Sequence, residues 1–376
     1  MITGMQAPRM LRSIKKIDLE RNIEMSRFLQ LHLLTFYPPS NVNRDDTGNP
    51  KTATVGGVTR LRISSQALKR AWRTSDVFGS ALTGHMGQRT QRLGEEVLAH
   101  LHENGVEEKK AVTIAREIAG VYGKVKGEKD ANPTRTEQLV FISPSEREAA
   151  LAVADRLASG EKIDLKKEQD TLLHRADSAA DIALFGRMLA SAPTFNREAA
   201  VQVAHAITTH RVTVEDDYYT AIDDLKRDEE DAGAGFLGEA GFGSGVFYLY
   251  LCINCDLLKK NLGDERETGV AEVALGALAE AAMTVSPSGK QNSFAALARA
   301  GYVLAEKGNA QPCTLAGAFA RPVGGADLME QSIKALKEFR SELTRVYGAG
   351  ADETCELDLG DKKSATLADI VAFCRS

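Results

Sequence analysis

Five cations and no carboxylate stand between Arg60 and Arg73 (Arg60, Arg62, Lys69, Arg70, Arg73), in a chain whose net charge is −5. Aligned guanidinium and ammonium groups at that density grip anions, and a run of them suits a run of phosphates. The loop upstream adds Arg44 and Lys51, with Asp45 and Asp46 directly after Arg44. Paired carboxylates in such a loop could hold a metal or activate a nucleophile, or else orient Arg44 and cap a turn. Other constellations are weaker. Cys252 and Cys255 have the spacing of a zinc or redox pair, but no second pair exists and YLYLCIN reads as a strand, where i and i+3 point to opposite faces. They read as buried small hydrophobes. His100 and His102 diverge on a helix and share no metal. Gly241, Gly243 and Gly245 mimic a phosphate loop but lead into a strand, which reads as the flexible base of an arm. Lys290, in the turn PSGKQNS, is a secondary cation, with a solvated turn as the plain alternative.

The elements that must position these groups begin with the basic stretch itself, GGVTRLRISSQALKRAWR at 56–73. Its first half alternates, with Arg60 and Arg62 on one side of a strand and Thr59, Leu61 and Ile63 on the other. Its second half is helical: Leu68, Ala71, Trp72 and Ser75 share one face, and Gln66, Lys69, Arg70 and Arg73 form a polar stripe. Ser64 and Ser65 stand at the switch, where an N-cap and free amides would meet an anion. Upstream, residues 26–37 alternate around Leu29, Leu31 and Leu33 as a central strand, followed by a polar loop to Gly57.

Downstream, residues from about 84 to 189 have a helical period, predicting an all-helical insertion with a long last helix over 165–188. Ser143, Pro144 and Glu146 spell a capping box with proline at N1, and Gly160 ends that helix. Strands are predicted at 201–210 and 245–254. Between them lies an excursion whose stretch from Glu215 to Asp231 holds nine acidic and two basic residues, a projecting arm instead of a packed unit. A helix over 268–284, a strand over 313–323 (CTLAGAFARPV) and a helix over 327–347 close the chain. Without the two excursions the order β, β, α, β, β, α, β, α is that of a ferredoxin-like or RNA-recognition-type α+β sandwich. The predicted division is an N-terminal appendage (1–25), the sandwich in three parts (26–84, 188–210, 245–376, the last with C-terminal helices), a helical insertion (85–187) and a projecting arm or hairpin (211–244).

At 376 residues, 43% hydrophobic and 26% charged, the chain has room for two or three cores. Its sequence pI of about 5.9 excludes a protein coated in positive charge, so a nucleic-acid site has to be a local groove. Five cysteines, an odd number, point to a reducing cytoplasm. No apolar run approaches the ~18 residues of a membrane span. Residues 1–24, with Arg9, Arg12, Lys15, Lys16 and Arg21 but no apolar core, are not a signal peptide, and Met25 reads as the natural start.

The run NVNRDDTGNPKTATVGGVTRLRISSQALKRAWR resembles the backbone subunit of the type I-E CRISPR Cascade surveillance complex, of the RAMP superfamily. So do DIALFGRM (181–188), AHAITTH (204–210), YYTAIDDL (218–225) and SGVFYLY (244–250). The motifs span the chain from Met25 onward in family order. The resemblance implies a non-catalytic, prokaryotic, cytoplasmic protein without cofactor or metal, shaped as a hand, in which the sandwich would be the palm, the insertion at 85–187 the helical fingers and the arm at 211–244 a β-hairpin thumb. Copies stack head to tail along the guide (cr)RNA, hexameric in relatives, and present it to a target DNA strand. Other Cascade subunits and a recruited nuclease-helicase are further partners, and no membrane is involved. It assigns guide contacts to Lys51, Ser64, Gln66, Lys69 and Arg70, base packing to Met188, and a contact to RNA or a neighbouring thumb to Arg44. Arg73 and Lys290 join the predicted RNA-binding set. Tyr218, Tyr219 and Thr220 would approach the displaced nucleotide. Two departures stand out: Ala67 replaces a hydroxyl common in relatives, and Tyr218–Tyr219 replaces a tryptophan–phenylalanine pair, a change stacking tolerates. The alternatives are a target-RNA-cleaving backbone subunit using Asp45 or Asp46, and, more weakly, a ferredoxin-like metabolic enzyme, for which no nucleophile–base set is visible.

Overall fold

In the computed structural model, which describes residues 26–221, 236–263 and 269–376, the chain is an α+β fold around one large antiparallel sheet. The expected appendage at 1–25, the acidic tip of the arm at 222–235 and the first residue of the helix expected over 268–284 lie outside the described residues. The strands are β1 Phe28–Ser40, β2 Thr52–Val55, β3 Val58–Ile63, β4 Gln88–Thr90, β5 Val140–Ile142, β6 Val201–Val203, β7 Ala206–Thr208, β8 Glu215–Ala221, β9 Phe236–Asn254, β10 Ala300–Gly308 and β11 Glu353–Asp358. The main sheet runs β11-β10-β1-β9-β7-β3-β2, with β6 and β8 also paired to β9, and β4–β5 form a separate ribbon.

Strand β1 lies inside the sheet between β10 and β9 and is buried on both faces. Leu29, Leu31 and Leu33 enter the main core with Leu249, Leu251 and Ile253 of β9. That face is covered by the helices Ser65–Arg73, Val270–Thr284 and Leu367–Arg375. Leu34, Val246, Tyr248, Tyr302 and Leu304 point the other way, under Leu336 of the helix Leu328–Tyr347. The alternation of side chains along a pleated strand produces these two cores from one sheet. A third core belongs to the insertion, built by Val97, Leu101, Ile114, Ile118, Tyr122 and Val153.

The capping box forms as the sequence indicates: Glu146 N–H donates to Ser143 Oγ and Ser143 N–H to Glu146 Oε2, with Pro144 in the first turn. Four expectations are corrected. The insertion is not all helical, since it contains the β4–β5 ribbon. No long helix spans 165–188; two short ones, Gln169–Leu172 and Ala180–Phe185, stand there. Tertiary partners break the pattern: His174 N–H goes to Glu146 Oε1, and its carbonyl accepts from Arg187 and Arg197. The stretch 313–323 is not a strand either, because its amides are taken by side chains, Cys313 N–H by Gln30 Oε1 and Leu315 N–H by Tyr248 Oη. The strand is β10, whose charged end conceals it in sequence; Glu306 meets His32 and Arg340, and Lys307 lies over the Phe373 ring. Finally, Gly241, Gly243 and Gly245 are not a flexible base. They lie within the continuous β9, and a Cβ would come within 2.9 Å of Leu61 at Gly243 and within 2.6 Å of His210 at Gly245.

Candidate nucleic-acid interface

Strand β3 delivers the chain into the Ser65–Arg73 helix through the N-cap Ser64, whose Oγ accepts from Ala67 N–H at 3.4 Å. Asn43 joins this switch to the upstream loop. Its Oδ1 accepts from Ser64 N–H and its carbonyl from Lys51 N–H, both at 2.8 Å. Ser64 is buried, so it shapes the helix start, and the exposed Gln66 follows it. Leu68 and Trp72 anchor the helix in the main core, leaving Lys69 and Arg70 on the other side.

The five cations of the basic stretch have different fates. Arg60 is fully buried and donates to the carbonyls of Thr208 at 2.8 Å and Phe319 at 3.1 Å, so it holds the sheet together and leaves the row of available charges. Arg73 faces the insertion, 3.6 Å from Asp181 Oδ2 and over the Phe141 ring. Lys69 is half-buried, and burial pushes its ammonium pKa down. Among the described residues no carboxylate pairs with Arg62, Lys69 or Arg70. A half-desolvated cation such as Lys69, without a counter-ion, carries a cost that an arriving anion offsets.

Arg70 looks into a cleft of about 630 Å³ bounded by Arg44, Asp46 and the turn Pro287–Gly289. Gly289 backs directly onto the carbonyl of Val42, where a Cβ would come within 2.3 Å, and this close approach fixes the turn that carries Lys290. Lys290 itself takes the left-handed conformation at φ 45°. Asp45 caps its own loop: its Oδ1 accepts from Thr47 Oγ1, Thr47 N–H and Asn49 N–H at 2.8–3.0 Å, and those bonds, the Thr47 hydroxyl foremost, hold its carboxyl below the usual range.

Met188 stands apart from this cleft. It is 83% exposed between the buried Arg187 and Leu189. Arg187 donates to Glu146 Oε2 at 2.5 Å, and to the carbonyls of Phe141, His174 and Phe195. Arg197 pairs with Asp177 at 2.8 Å and exchanges backbone hydrogen bonds with Arg187. On the β8–β9 ribbon, Tyr218 is 65% and Tyr219 44% exposed, with Thr220 exposed beyond them. The Tyr219 ring lies over its cross-strand partner Gly238.

The structure thus gathers Arg44 and Arg70 beside the turn bearing Lys290, joins Lys51 to Ser64 through Asn43, and places Met188 and the tyrosines elsewhere. Sequence reasoning missed Asn43 as the joining residue and His205, which accepts from Arg62 Nη1 at its Nδ1 across 2.8 Å. Two basic side chains 143 residues apart leave no local pattern to find. The remaining lures resolve simply. His100 pairs with Asp155 and His102 with Glu108, Cys252 and Cys255 are buried, and no metal-binding cluster occurs among the described residues. Burial pushes the Cys255 thiol up to about 11, out of nucleophilic range at neutral pH. No helix among the described residues is long and apolar enough to cross a membrane.

The sequence model of the family described as CT1975-like protein matches residues 29–372. No curated protein matches the chain. Among solved structures, a chain of a "CRISPR RNA-guided surveillance complex, pre-nicking" superposes with a TM-score of 0.80 at 29% identity, covering 92% of this chain and 100% of its own. A chain of a "CRISPR RNA-guided surveillance complex" follows at 0.69 and 25%, covering 92% and 99%.

Proposed function

The chain belongs to the CT1975-like protein family, and from that premise we propose that it is a guide-RNA-binding subunit of a CRISPR RNA-guided surveillance complex. More narrowly, it is a backbone subunit of the type I-E Cascade kind, which stacks head to tail along the guide and presents it to target DNA. Other Cascade subunits flank it, and a recruited nuclease-helicase cuts the target. It works in the cytoplasm without cofactor, and no reaction is asked of its own side chains. Lys51, Lys69 and Arg70 supply affinity for backbone phosphates without reading sequence, which base pairing carries. Gln66, Arg44 and Lys290 line the same track, while Met188 and the ribbon residues Tyr218, Tyr219 and Thr220 separate bases.

The single observation that carries this reading is the unpaired cation row: Lys69 half-buried and Arg70 at the cleft, with no carboxylate partner among the described residues, in a chain of net charge −5. The test is the salt dependence of binding to a single-stranded RNA. Each phosphate contact adds about 0.7 to the log–log slope. Replacing Lys69→Ala together with Arg70→Ala is expected to lower the slope by about 1 to 1.5. An unchanged slope overturns the phosphate grip on this helix.

A second reading, cleavage of target RNA, has Asp46 in the cleft wall in its favour. It requires metal-dependent RNA cleavage by the wild type that Asp46→Ala or Asp45→Ala abolishes.

A further inference from the structure

We propose that Lys51, Arg62 and His205 form a second anion site, which takes one backbone phosphate of a single-stranded RNA beside the helical grip. The inference rests on the RNA-binding reading above and adds two residues, Arg62 and His205, and a regulation to it. Three elements build the site. Arg62 on β3 pairs with Ile207 of β7, and its N–H donates to the carbonyl of Lys51, the residue before β2. His205 stands between β6 and β7, exposed to solvent.

The geometry sets the protonation state of the free site. Arg62 Nη1 lies 2.8 Å from His205 Nδ1 and can only donate, so Nδ1 presents its lone pair and the imidazole is neutral with its proton on Nε2. Burial, then the positive charges of Arg62 and Lys51, hold the His205 pKa below its ordinary value. These two cations are the charged groups that face it, and no carboxylate pairs with His205, Arg62 or Lys51 among the described residues. A site with two cations, a ring N–H and no internal counter-ion is completed by an anion.

A phosphate oxygen arriving there offsets the repulsion that keeps His205 neutral. Arg62 then turns its N–H groups to the phosphate, Nδ1 is released, and a proton from solvent completes the imidazolium. Binding therefore takes up a proton, and affinity rises as pH falls between the bound and the free pKa of His205.

The test uses the full chain and a twelve-nucleotide single-stranded RNA. The His205 titration is followed by NMR with and without RNA, and affinity is measured from pH 5.5 to 8 at fixed salt. Wild type, His205→Gln and the Lys69→Ala, Arg70→Ala double variant are compared. The His205 pKa is expected to rise on binding, and wild-type affinity to gain about three- to tenfold between pH 7.5 and 5.5. His205→Gln loses that gain, whereas the double variant binds more weakly throughout but keeps it. RNA binding with an unmoved His205 titration, or a gain that survives His205→Gln, overturns the site alone. No RNA binding at any pH overturns the site together with the reading it rests on.

Discussion

Met188 and the Tyr218–Tyr219 pair, the proposed base contacts, are all exposed, but they stand on opposite kinds of support. Under Met188 lies a closed network of buried charge: Glu146 with Arg187, both side chains fully buried, and Asp177 with Arg197 alongside. Each arginine is also tied to backbone carbonyls, so the peptide on either side of Met188 has few other arrangements. The tyrosines have a two-stranded ladder beneath them, and every residue of β8 is exposed. A two-stranded ribbon is marginal by itself in water. On the proposed RNA-binding reading, the contrast separates a preorganised contact, which would give up little entropy on binding, from one that would cost more to order.

The sharpest way to break the contrast is to remove one member of the buried pair. Glu146→Ala leaves the Arg187 guanidinium uncompensated and is expected to cost about 3–5 kcal/mol in chemical denaturation. A loss under about 1 kcal/mol would show that the network does not stiffen the base of Met188.

The same junction contains a pH test. Burial pushes Asp181 up to about 6, against the pull of the Gly87 and Ile182 amides and of Arg73. Its folded pKa is above its unfolded value near 3.8. The unfolded chain therefore loses the proton first as pH rises, and stability falls between about pH 4 and 6, by up to about 3 kcal/mol. Asp181→Asn is expected to remove that part of the pH dependence, and an Asn variant with the wild-type profile would assign it elsewhere.

On the ribbon, Tyr218→Ala is expected to weaken RNA binding by about 1 kcal/mol, the low end for a base–aromatic stack, because ordering the ribbon consumes part of the gain. Stability should not move. The smallest expected effect is that of Met188→Ala on folding, within about 0.5 kcal/mol for so exposed a side chain. Its mark should appear instead in the bound RNA, as reduced unstacking reported by the fluorescence of 2-aminopurine placed along the oligonucleotide. Unchanged fluorescence would remove Met188 from the interface.

Local chemistry was legible wherever neighbours in sequence are also partners in space. The Ser143 capping box, the Ser64 cap, the apolar face of the Ser65–Arg73 helix and the alternation of β1 all follow from interactions within about four residues. So did the α+β class, because alternation and helical period are local signals. The hand-like division into palm, fingers and thumb belongs to the motif resemblance alone, because local signals do not supply it.

What tertiary structure alone decided is which charges have partners. Arg60 and Arg62 are two residues apart on one strand face, yet Arg60 is consumed by carbonyls 148 and 259 residues away while Arg62 stays available beside His205. Strand β10 was hidden because Glu306 and Lys307 look like solvent-facing charge until His32, Arg340 and Phe373 surround them. A side chain's charge is written in the sequence, but its free energy depends on burial and on the distance to its counter-charge, and those exist only once the chain has folded.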